Sequence, residues 1–254
     1  METDVVRITA DSKKNLKDIV TDEVFLTLFL NKNELLTLSC SPGGLNELCS
    51  GFLYSAGLIH SLDDIESIHI DTNNMTCDII LADKGLNADA LFKRVFTSGC
   101  EKGILFPNVL DLAHRNVVKK NFTISSEKIA GLMKAFEKKS EAYRTTGGVH
   151  SAALSDGDSI LAFGEDIGRH NAIDRVIGEA LHKNLTMTDL ILITSGRVSS
   201  DVIYKAQKMQ TAVIVSRGAP TSLAVKLADN WNITLVGFVR GQRMNIYTAK
   251  ERIL

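Results

Sequence analysis

Arginine beside glycine recurs four times in the second half of this 254-residue chain, each time directly after a predicted strand. Arginine presents a planar fork of donors suited to phosphate or carboxylate, and glycine lets the main chain approach a ligand. A single such pair is usually a turn with a solvated charge. The carboxyl ends of strands in an α/β sheet share one edge, so four pairs there favour a site for an anionic, nucleotide-like ligand. The pairs are Gly168-Arg169, Gly196-Arg197, Arg217-Gly218 and Arg240-Gly241, and Arg243 follows the last of them.

Two histidines, His150 and His170, fall at predicted element junctions of the same region. A junction histidine either makes a structural hydrogen bond or serves the site, and the sequence leaves both open. A zinc hydrolase lacks ligands here, because no cysteine follows Cys100 and neither histidine belongs to an HxxxH or HxE pattern. We therefore expect no zinc and no other metal site. Ser195, in Thr194-Ser195-Gly196, does not form a nucleophile elbow, which disfavours a serine hydrolase.

One cysteine of the four stands apart from the others. Cys40, Cys49 and Cys77 fall in predicted strands or on the apolar face of a helix, as core residues do. Cys100 lies in a Gly/Ser-containing loop with Lys102 two residues on, and a nearby cation favours the reactive thiolate. Cys100 is thus either a nucleophilic or sulfur-carrying thiol or an incidental loop cysteine. The absence of CxxC pairs favours free thiols in a reducing compartment.

The elements that must position these residues divide the chain at about residue 120. Residues 1–120 read as a smaller β-rich domain and residues 121–254 as an α/β domain with a mainly parallel sheet and helices on either side. In the first part we predict strands at 5–9, 24–31, 34–40, 65–70 and 75–82, a helix from 45, a weak helix at 88–96 and a loop at 97–107. In the second we predict a helix within 121–140 capped by Ser125 or Ser126, strands at 149–154, 159–163, 190–194, 212–216, 233–239 and 244–248, and helices from Asn171, from Ser199 or Ser200, and from Pro220.

Composition excludes several classes of protein. Hydrophobic residues make up 44% and charged residues 23%, which is typical of a globular chain rather than a disordered one. The net charge of −1 provides no global field for nucleic acid or an anionic membrane. The longest uncharged apolar run, residues 25–30, is too short to span a bilayer, and the start of the chain lacks a secretory signal. We expect a cytoplasmic protein.

Several motifs in register resemble those of the formate dehydrogenase accessory sulfurtransferase family, FdhD/NarQ. They are TGGVH at 146–150, EDIGRHNA at 165–172, SGR at 195–197, SRGAPT at 216–221 and GFVRGQRMNIYT at 237–248. Ser41-Pro42 and Gly51-Phe52-Leu53 also match, so the resemblance covers nearly the whole chain.

The resemblance implies a three-layer C-terminal domain of cytidine-deaminase-like fold without zinc. It implies a homodimeric sulfur carrier that receives persulfide sulfur from a cysteine desulfurase. The sulfur passes to the bis-guanine-dinucleotide form of the molybdenum (or tungsten) cofactor before insertion into the formate dehydrogenase catalytic subunit, and GDP or GMP would serve as a surrogate ligand. Cys100 matches the sulfur-bearing cysteine. The cofactor-binding residues would be Arg169, His170, Arg197, Arg217, Phe238, Val239, Arg240, Gly241, Gln242 and Arg243.

The chain departs from the family pattern in the cysteine loop. Many members carry CxxC there, but the second position here is Gly103. One cysteine can form a persulfide, but a relay through a second would require Cys40, Cys49 or Cys77 to approach in space. Two hypotheses follow: a sulfurtransferase with Cys100 as carrier, and a cofactor-binding chaperone that carries no sulfur.

Overall fold

In the first part of the chain a four-stranded sheet carries the core. The computed structural model describes residues 1–83, 93–95, 104–106, 117–118 and 122–254. The elements up to residue 106 are β1 (Glu2–Thr9), β2 (Ser12–Ile19), β3 (Val24–Leu30), β4 (Asn33–Cys40), α1 (Leu45–Ala56), β5 (Ile65–Asp71), β6 (Thr76–Leu81), β7 (Lys93–Val95) and β8 (Ile104–Phe106). The sheet has the order β4-β3-β6-β5, and its buried residues pack with those of α1 in one apolar cluster.

Period-two patterning explains why β3–β6 were predictable from sequence. Leu26, Leu28 and Leu30 alternate with more exposed neighbours and are all buried, as expected for a strand with one face in the core. The β3–β4 hairpin and the antiparallel β5–β6 pair are confirmed. Strand β2 was not predicted, because SKKNLKDI is polar and lacks apolar alternation. The predicted helix at 88–96 and loop at 97–107 are wrong at 93–95 and 104–106, which pair as strands; their remainder lies outside the described residues.

In the second part of the chain, helices alternate with the strands of one large sheet. The elements are α2 (Ser126–Lys139), α3 (Glu141–Thr146), β9 (His150–Ser155), β10 (Ile160–Asp166), α4 (Arg169–His182), β11 (Ile191–Thr194), α5 (Ser200–Met209), β12 (Val213–Ser216), α6 (Ser222–Asn230), β13 (Thr234–Arg240) and β14 (Arg243–Ile246). The prediction of helix–strand alternation is confirmed, with Ser125 capping α2 through the Lys128 amide.

Strand direction defines where a ligand could bind. The sheet order is β10-β9-β11-β12-β13-β14, with β11, β12 and β13 paired in parallel and the other neighbours antiparallel. The sheet is therefore mixed, and not mainly parallel as predicted, because the β9–β10 hairpin and β14 each add antiparallel pairing. Strands β10, β11, β12 and β13 nevertheless point the same way. Their ends, with the starts of β9 and β14, form what we call the carboxyl edge.

Helices cover both faces of this sheet. Phe136 of α2 packs edge-on against Phe163 of β10 with ring centroids 5.9 Å apart. The next residue, Gly164, faces the opposite side and approaches Arg175 and Val176 of α4. Mixed α/β architecture is confirmed. Two helix starts differ from expectation: α4 begins at Arg169, and α6 begins after Thr221, whose hydroxyl accepts from the Ala224 amide.

The two parts of the chain meet where α1 crosses α4. Gly51 of α1 lies against the Asp174 carbonyl, and Gly178 of α4 lies against the Glu47 carbonyl, so the helices touch through their backbones. Each part has its own apolar cluster. Val118 belongs to the second cluster, and its amide donates a hydrogen bond to the Trp231 carbonyl (3.0 Å). The boundary at 120/121 stays a prediction. Within the described ranges, none of the helices combines the length and apolar character required to cross a membrane.

Candidate functional site

The turns of the carboxyl edge are joined to one another by main-chain contacts. The Ser216 hydroxyl donates to the Gly196 carbonyl (2.7 Å), and the Phe238 amide donates to the Gly218 carbonyl (3.0 Å). A Cβ at Gly218 would lie 2.8 Å from the Gly196 oxygen, and one at Gly196 would lie 3.1 Å from Cβ of Arg169. Glycine is required at these positions because neighbouring turns approach too closely for a side chain. All four glycine–arginine turns therefore lie side by side.

Three arginines of this edge present free positive charge. Arg240 and Arg243 face each other across the β13–β14 hairpin, and both are exposed, as is Arg197. Within the part of the chain that the structure describes, none of the three forms an ion pair with a carboxylate. Like charges directly opposite each other destabilise a strand pair, so Arg240 and Arg243 are better suited to holding an anion than to stabilising the hairpin.

Arg217 differs from those three because α2 supplies a partner. Its Nε lies 3.3 Å from Oε1 of Glu137, and both side chains are about half exposed. An exposed ion pair of this kind is weak, and an incoming phosphate could compete for the guanidinium. The sequence did not indicate this contact, because Glu137 is 80 residues away on another element.

Two helix N-termini also point to the edge. Helix α4 begins after Gly168 and α5 after Ser199, and neither has a side-chain cap hydrogen bond. Uncapped amides at a helix N-terminus, with the positive end of the helix dipole, favour anions. Helix α6 differs, since Thr221 already caps it.

His170, in the first turn of α4, is a buried imidazole at the base of the edge. Among the described residues neither ring nitrogen finds a hydrogen-bond partner, and Nε2 lies 3.7 Å from Oδ2 of Asp201. Burial, then the charges of Lys205 and Arg169, lower the pKa of His170 to about 3. His170 is therefore neutral near pH 7, with one donor and one acceptor on ring nitrogens that are themselves buried.

Beneath His170 lies a buried ionic network that the sequence did not reveal. Lys205 of α5 donates to Oδ1 of Asp174 (2.5 Å), and the Ser55 hydroxyl of α1 donates to the same oxygen (2.6 Å). Desolvation raises the pKa of Asp174 and outweighs the opposing effect of Lys205. Asp174 and Lys205 each lie among buried apolar residues of their helices, but the sequence does not show that they pair with each other.

His150 occupies the start of β9 on the same edge. Its Nδ1 lies 3.4 Å from Oγ of Ser195, which accepts a hydrogen bond from the Ser151 amide (3.0 Å). Burial, with a smaller effect of Arg169, lowers the pKa of His150. Because the Ser195 oxygen is occupied as an acceptor, its proton is free to point at His150. The structure thus joins two residues that the sequence placed 45 positions apart.

The segment from Phe238 to Arg243 has an unusual backbone. Phe238 has φ 54°, a left-handed conformation that is a genuine outlier for a bulky residue and often marks a functional site. Its side chain is half-buried, whereas Val239 is fully buried in the core, so the structure does not present Val239 to a ligand. Gly241, with φ 60°, makes the turn, and Gln242 beside it is exposed.

A second buried ion pair ties the edge to the first part of the chain. Arg175 contacts the Asp166 carboxylate at 2.7 Å and donates to the carbonyls of Ser41 and Gly43. Asp166 also accepts from the Ser41 amide (3.1 Å) and from the Asn171 side chain (3.0 Å). The turn that carries Arg169 and His170 is therefore fixed to the loop between β4 and α1.

The described cysteines are core residues, as predicted. Cys40, Cys49 and Cys77 are fully buried. Burial raises the pKa of Cys40 to about 11, and a contact with Cys77 together with burial raises the pKa of Cys49 far above its usual value. Neither Cys40 nor Cys49 can supply a thiolate at neutral pH, and Cys77 is fully buried. Cys100 and Gly103 lie outside the described residues. The described part of the chain shows no His, Cys, Asp and Glu cluster able to hold a metal ion.

Replacing His170 with Gln is expected to flatten the pH dependence of stability. The native pKa of about 3 lies below the unfolded value of 6.5, so the unfolded chain binds the proton first and stability falls as pH falls below 6.5. Between pH 6.5 and pH 5.5, His170 should lower the free energy of unfolding by about 1 kcal/mol, and the His170→Gln variant should not show this decrease. Urea unfolding at both pH values measures it, and parallel profiles for the two proteins would contradict the expected buried neutral imidazole.

The fold and the edge together define an α/β protein with a candidate site for an anionic ligand. A family model described as FdhD/NarQ matches residues 21–254. The chain is 39% identical to the sulfur carrier protein FdhD of Geobacillus kaustophilus over 94% of this chain and 91% of that protein. It is also 39% identical to that of Staphylococcus aureus, over 98% and 95%. The chain belongs to the FdhD/NarQ family.

A solved structure supports the fold independently. A crystal structure described as a formate dehydrogenase accessory protein from Desulfotalea psychrophila aligns with a TM-score of 0.79 over 100% of this chain and 99% of that one. The sequence identity is 23%, so this match concerns the fold alone. Together with the family match, the comparisons confirm the resemblance seen in the motifs, and they support a sulfur carrier linked to formate dehydrogenase.

Proposed function

We propose that this protein carries persulfide sulfur on Cys100 from a cysteine desulfurase to the bis-guanine-dinucleotide molybdenum cofactor, before that cofactor enters the formate dehydrogenase catalytic subunit. The observation that carries the proposal is the carboxyl edge, where adjoining turns present Arg197, Arg240 and Arg243, none of which pairs with a carboxylate in the part of the chain that the structure covers. The relatives named sulfur carrier proteins support the transfer of sulfur. The carboxyl edge supports the binding of an anionic acceptor.

The chemistry of the edge suits a guanine dinucleotide as substrate. Its phosphates need several cations and free main-chain amides, which the arginines and the α4 and α5 N-termini offer. His170 lies at the base of the edge, and its neutral imidazole adds no charge beneath the arginines. Phe238 could stack on a purine, since its ring is partly exposed at the same edge.

The remaining features of the proposal follow from the family resemblance. They are a cytoplasmic homodimer, a cytidine-deaminase-like fold for the second part of the chain, and no requirement for zinc. A cysteine persulfide would deliver its outer sulfur by direct contact, so the segment bearing Cys100 must reach the carboxyl edge of its own or a partner subunit.

A cofactor chaperone without sulfur transfer is the second candidate. Gly103 replaces the second cysteine of the loop, and the buried Cys40, Cys49 and Cys77 cannot substitute for it. Such a protein would use the same edge to bind the cofactor but would need no nucleophile. The two candidates therefore differ only at Cys100.

Mass spectrometry after incubation with a cysteine desulfurase and cysteine tests the proposal. The carrier should gain about 32 Da, one sulfur atom, on Cys100, and dithiothreitol should remove it. Cys100→Ala should lose the adduct and fail to mature formate dehydrogenase, whereas Cys40→Ala should still form it. Normal maturation by Cys100→Ala would reject the carrier and favour the chaperone.

Removing Arg240 or Arg243 is expected to weaken GDP binding by about 10- to 100-fold, because each charge-assisted contact to phosphate contributes about 1.5–3 kcal/mol. Lysine should rescue only part of the loss, since it cannot make the bidentate contact. Calorimetric titration measures the affinity, and Arg7→Ala, on the distant β1–β2 hairpin, is the matched control. Equal affinities in all variants would identify these arginines as ordinary surface charges.

Phe238→Gly and Phe238→Ala are expected to separate backbone strain from ligand contact. Both remove the ring and should weaken GDP binding equally, by several-fold. Only glycine adopts φ 54° freely, so the Gly variant should be about 1 kcal/mol more stable than the Ala variant. Thermal unfolding and GDP titration of the pair test this, and wild-type affinity in both variants would exclude a role for the ring.

A further inference from the structure

The carboxyl edge contains a serine–histidine contact to which the proposed function gives no role. Oγ of Ser195 lies 3.4 Å from Nδ1 of His150 and accepts a hydrogen bond from the Ser151 amide at 3.0 Å. A hydroxyl has one proton and two lone pairs, so accepting this bond leaves its proton free to donate. Among the described residues, Nδ1 of His150 is the acceptor within reach of that proton.

The contact determines which nitrogen of His150 carries a proton. Burial and, to a smaller extent, the positive charge of Arg169 lower the pKa of His150, so the ring is neutral near pH 7. A neutral imidazole has a single proton, and the hydrogen bond made by one nitrogen decides which of the two holds it. Since the Ser195 hydroxyl donates to Nδ1, this nitrogen is bare and the proton lies on Nε2.

Nε2 of His150 is accessible at the carboxyl edge. His150 is half-buried, and its Nε2 is not enclosed by protein as both ring nitrogens of His170 are. The ring stands beside the turn that carries Arg197, because a Cβ at Gly196 would lie 3.6 Å from Nδ1 of His150 and 3.4 Å from Cδ of Arg169. The donor on Nε2 therefore belongs to the same part of the edge as two of the arginines.

The position of the proton decides whether His150 attracts or repels an anion. An N–H group on Nε2 can donate to a phosphate oxygen, and a hydrogen bond to a charged oxygen is stronger than one to a neutral oxygen. The other tautomer would direct a lone pair from Nε2 toward the same oxygen. A neutral donor also supplies direction without adding another positive charge to the arginines.

We propose that His150 donates a hydrogen bond from Nε2 to a phosphate oxygen of the ligand at the carboxyl edge, and that Ser195 acts as a positioning residue that keeps the proton on Nε2. The inference rests on the proposed function for the identity of the ligand. The tautomer, in contrast, is a property of the protein without ligand, so the two parts of the inference can be tested separately.

Long-range proton–nitrogen NMR of the ligand-free protein measures the tautomer, because a protonated and a bare ring nitrogen have different nitrogen shifts. The signals that disappear in His150→Gln identify His150. In the wild-type protein at neutral pH the proton should lie on Nε2, and Ser195→Ala should shift the Nδ1 signal and move the ring toward a mixture of tautomers. A wild-type proton on Nδ1, or signals that do not change in Ser195→Ala, would overturn the role of Ser195.

Calorimetric titration with GDP measures the contact with the ligand. His150→Ala should weaken binding about 10-fold, as expected for the loss of one hydrogen bond to a charged oxygen. His150→Gln keeps an N–H donor and should lose less affinity. Ser195→Ala should weaken binding several-fold, and Ser195→Thr, which keeps the hydroxyl, should recover most of the loss. Ser67→Ala and His69→Ala, at exposed positions of β5, are the matched controls.

The titrations distinguish this inference from the proposed function. If the wild-type protein binds GDP and His150→Ala binds it equally well, the contact with His150 is rejected while the binding of an anion at the edge stands. If the wild-type protein does not bind GDP, both are rejected. Equal losses in His150→Ala and His69→Ala would identify a general effect on the protein and would also reject the contact.

Discussion

Gly51→Ala and Gly178→Ala should each destabilise the protein by about 3–5 kcal/mol, the largest stability effects we expect. At Gly51 the new Cβ would stand 1.8 Å from the Asp174 carbonyl oxygen, and at Gly178 it would stand 1.9 Å from that of Glu47. Both obstacles are helix backbone, which cannot rotate away as a side chain would. The only relief is to separate α1 from α4, which opens the junction between the two parts of the chain.

Gly131→Ala provides a control of opposite sign. Gly131 also lies inside a helix, α2, but nothing stands within 4 Å of its added Cβ. The alanine should therefore stabilise the protein by about 0.5–1 kcal/mol through helix propensity. Urea unfolding of the three variants makes the comparison. Small losses at Gly51 and Gly178 would show that the two helices are not in backbone contact.

Asp166→Asn should have the second large effect, about 3–5 kcal/mol of stability. The change keeps the shape of the side chain but leaves the buried Arg175 guanidinium without its counter-charge. Because Asp166 also holds the Ser41 amide and Asn171, the turn carrying Arg169 and His170 should loosen. GDP affinity should fall along with stability.

Asp158→Asn is the matched control for Asp166→Asn. Asp158 pairs with Lys128 at 2.6 Å, but both side chains are largely exposed, so its loss should change stability by under about 0.5 kcal/mol. Chemical unfolding and GDP titration of both variants give the comparison. Similar small effects in the two would mean that Asp166 is not required for the position of the site turn.

Elements were predictable wherever the signal is local. The period-two leucines of β3 and the uniformly buried runs of β11 and β12 depend only on near neighbours in sequence, and they formed where expected. Strand β2 was missed because its pairing with β1, not its own polar sequence, makes it a strand. Strand order could not be predicted either, since nothing in the sequence of β9 shows that it inserts between β10 and β11.

The candidate site shows the same difference between features with a local sequence signal and features that depend on long-range packing. The glycine–arginine turns could be predicted because each follows a recognisable strand, and the structure does place them on one edge. The contacts that tune them could not be predicted. The Glu137 carboxylate beside Arg217 and the Lys205–Asp174 pair beneath His170 join residues far apart in sequence, so only the packing of α2, α4 and α5 brings them together.

The contacts that join the turns of the carboxyl edge determine which residues of this site can be substituted without disturbing the fold. Their spacing is set by bonds between main-chain atoms, such as the Phe238 amide to the Gly218 carbonyl, and by glycines that admit no side chain. Arg197, Arg240 and Arg243 project from this scaffold, and none of them pairs with a carboxylate among the described residues. In the proposed site, substitutions at exposed positions such as Arg197 or Gln242 are therefore expected to alter which anion binds while leaving the geometry of the neighbouring turns intact. Ligand preference and fold stability would then be separable, so the specificity of such a site could change without passing through unstable intermediates.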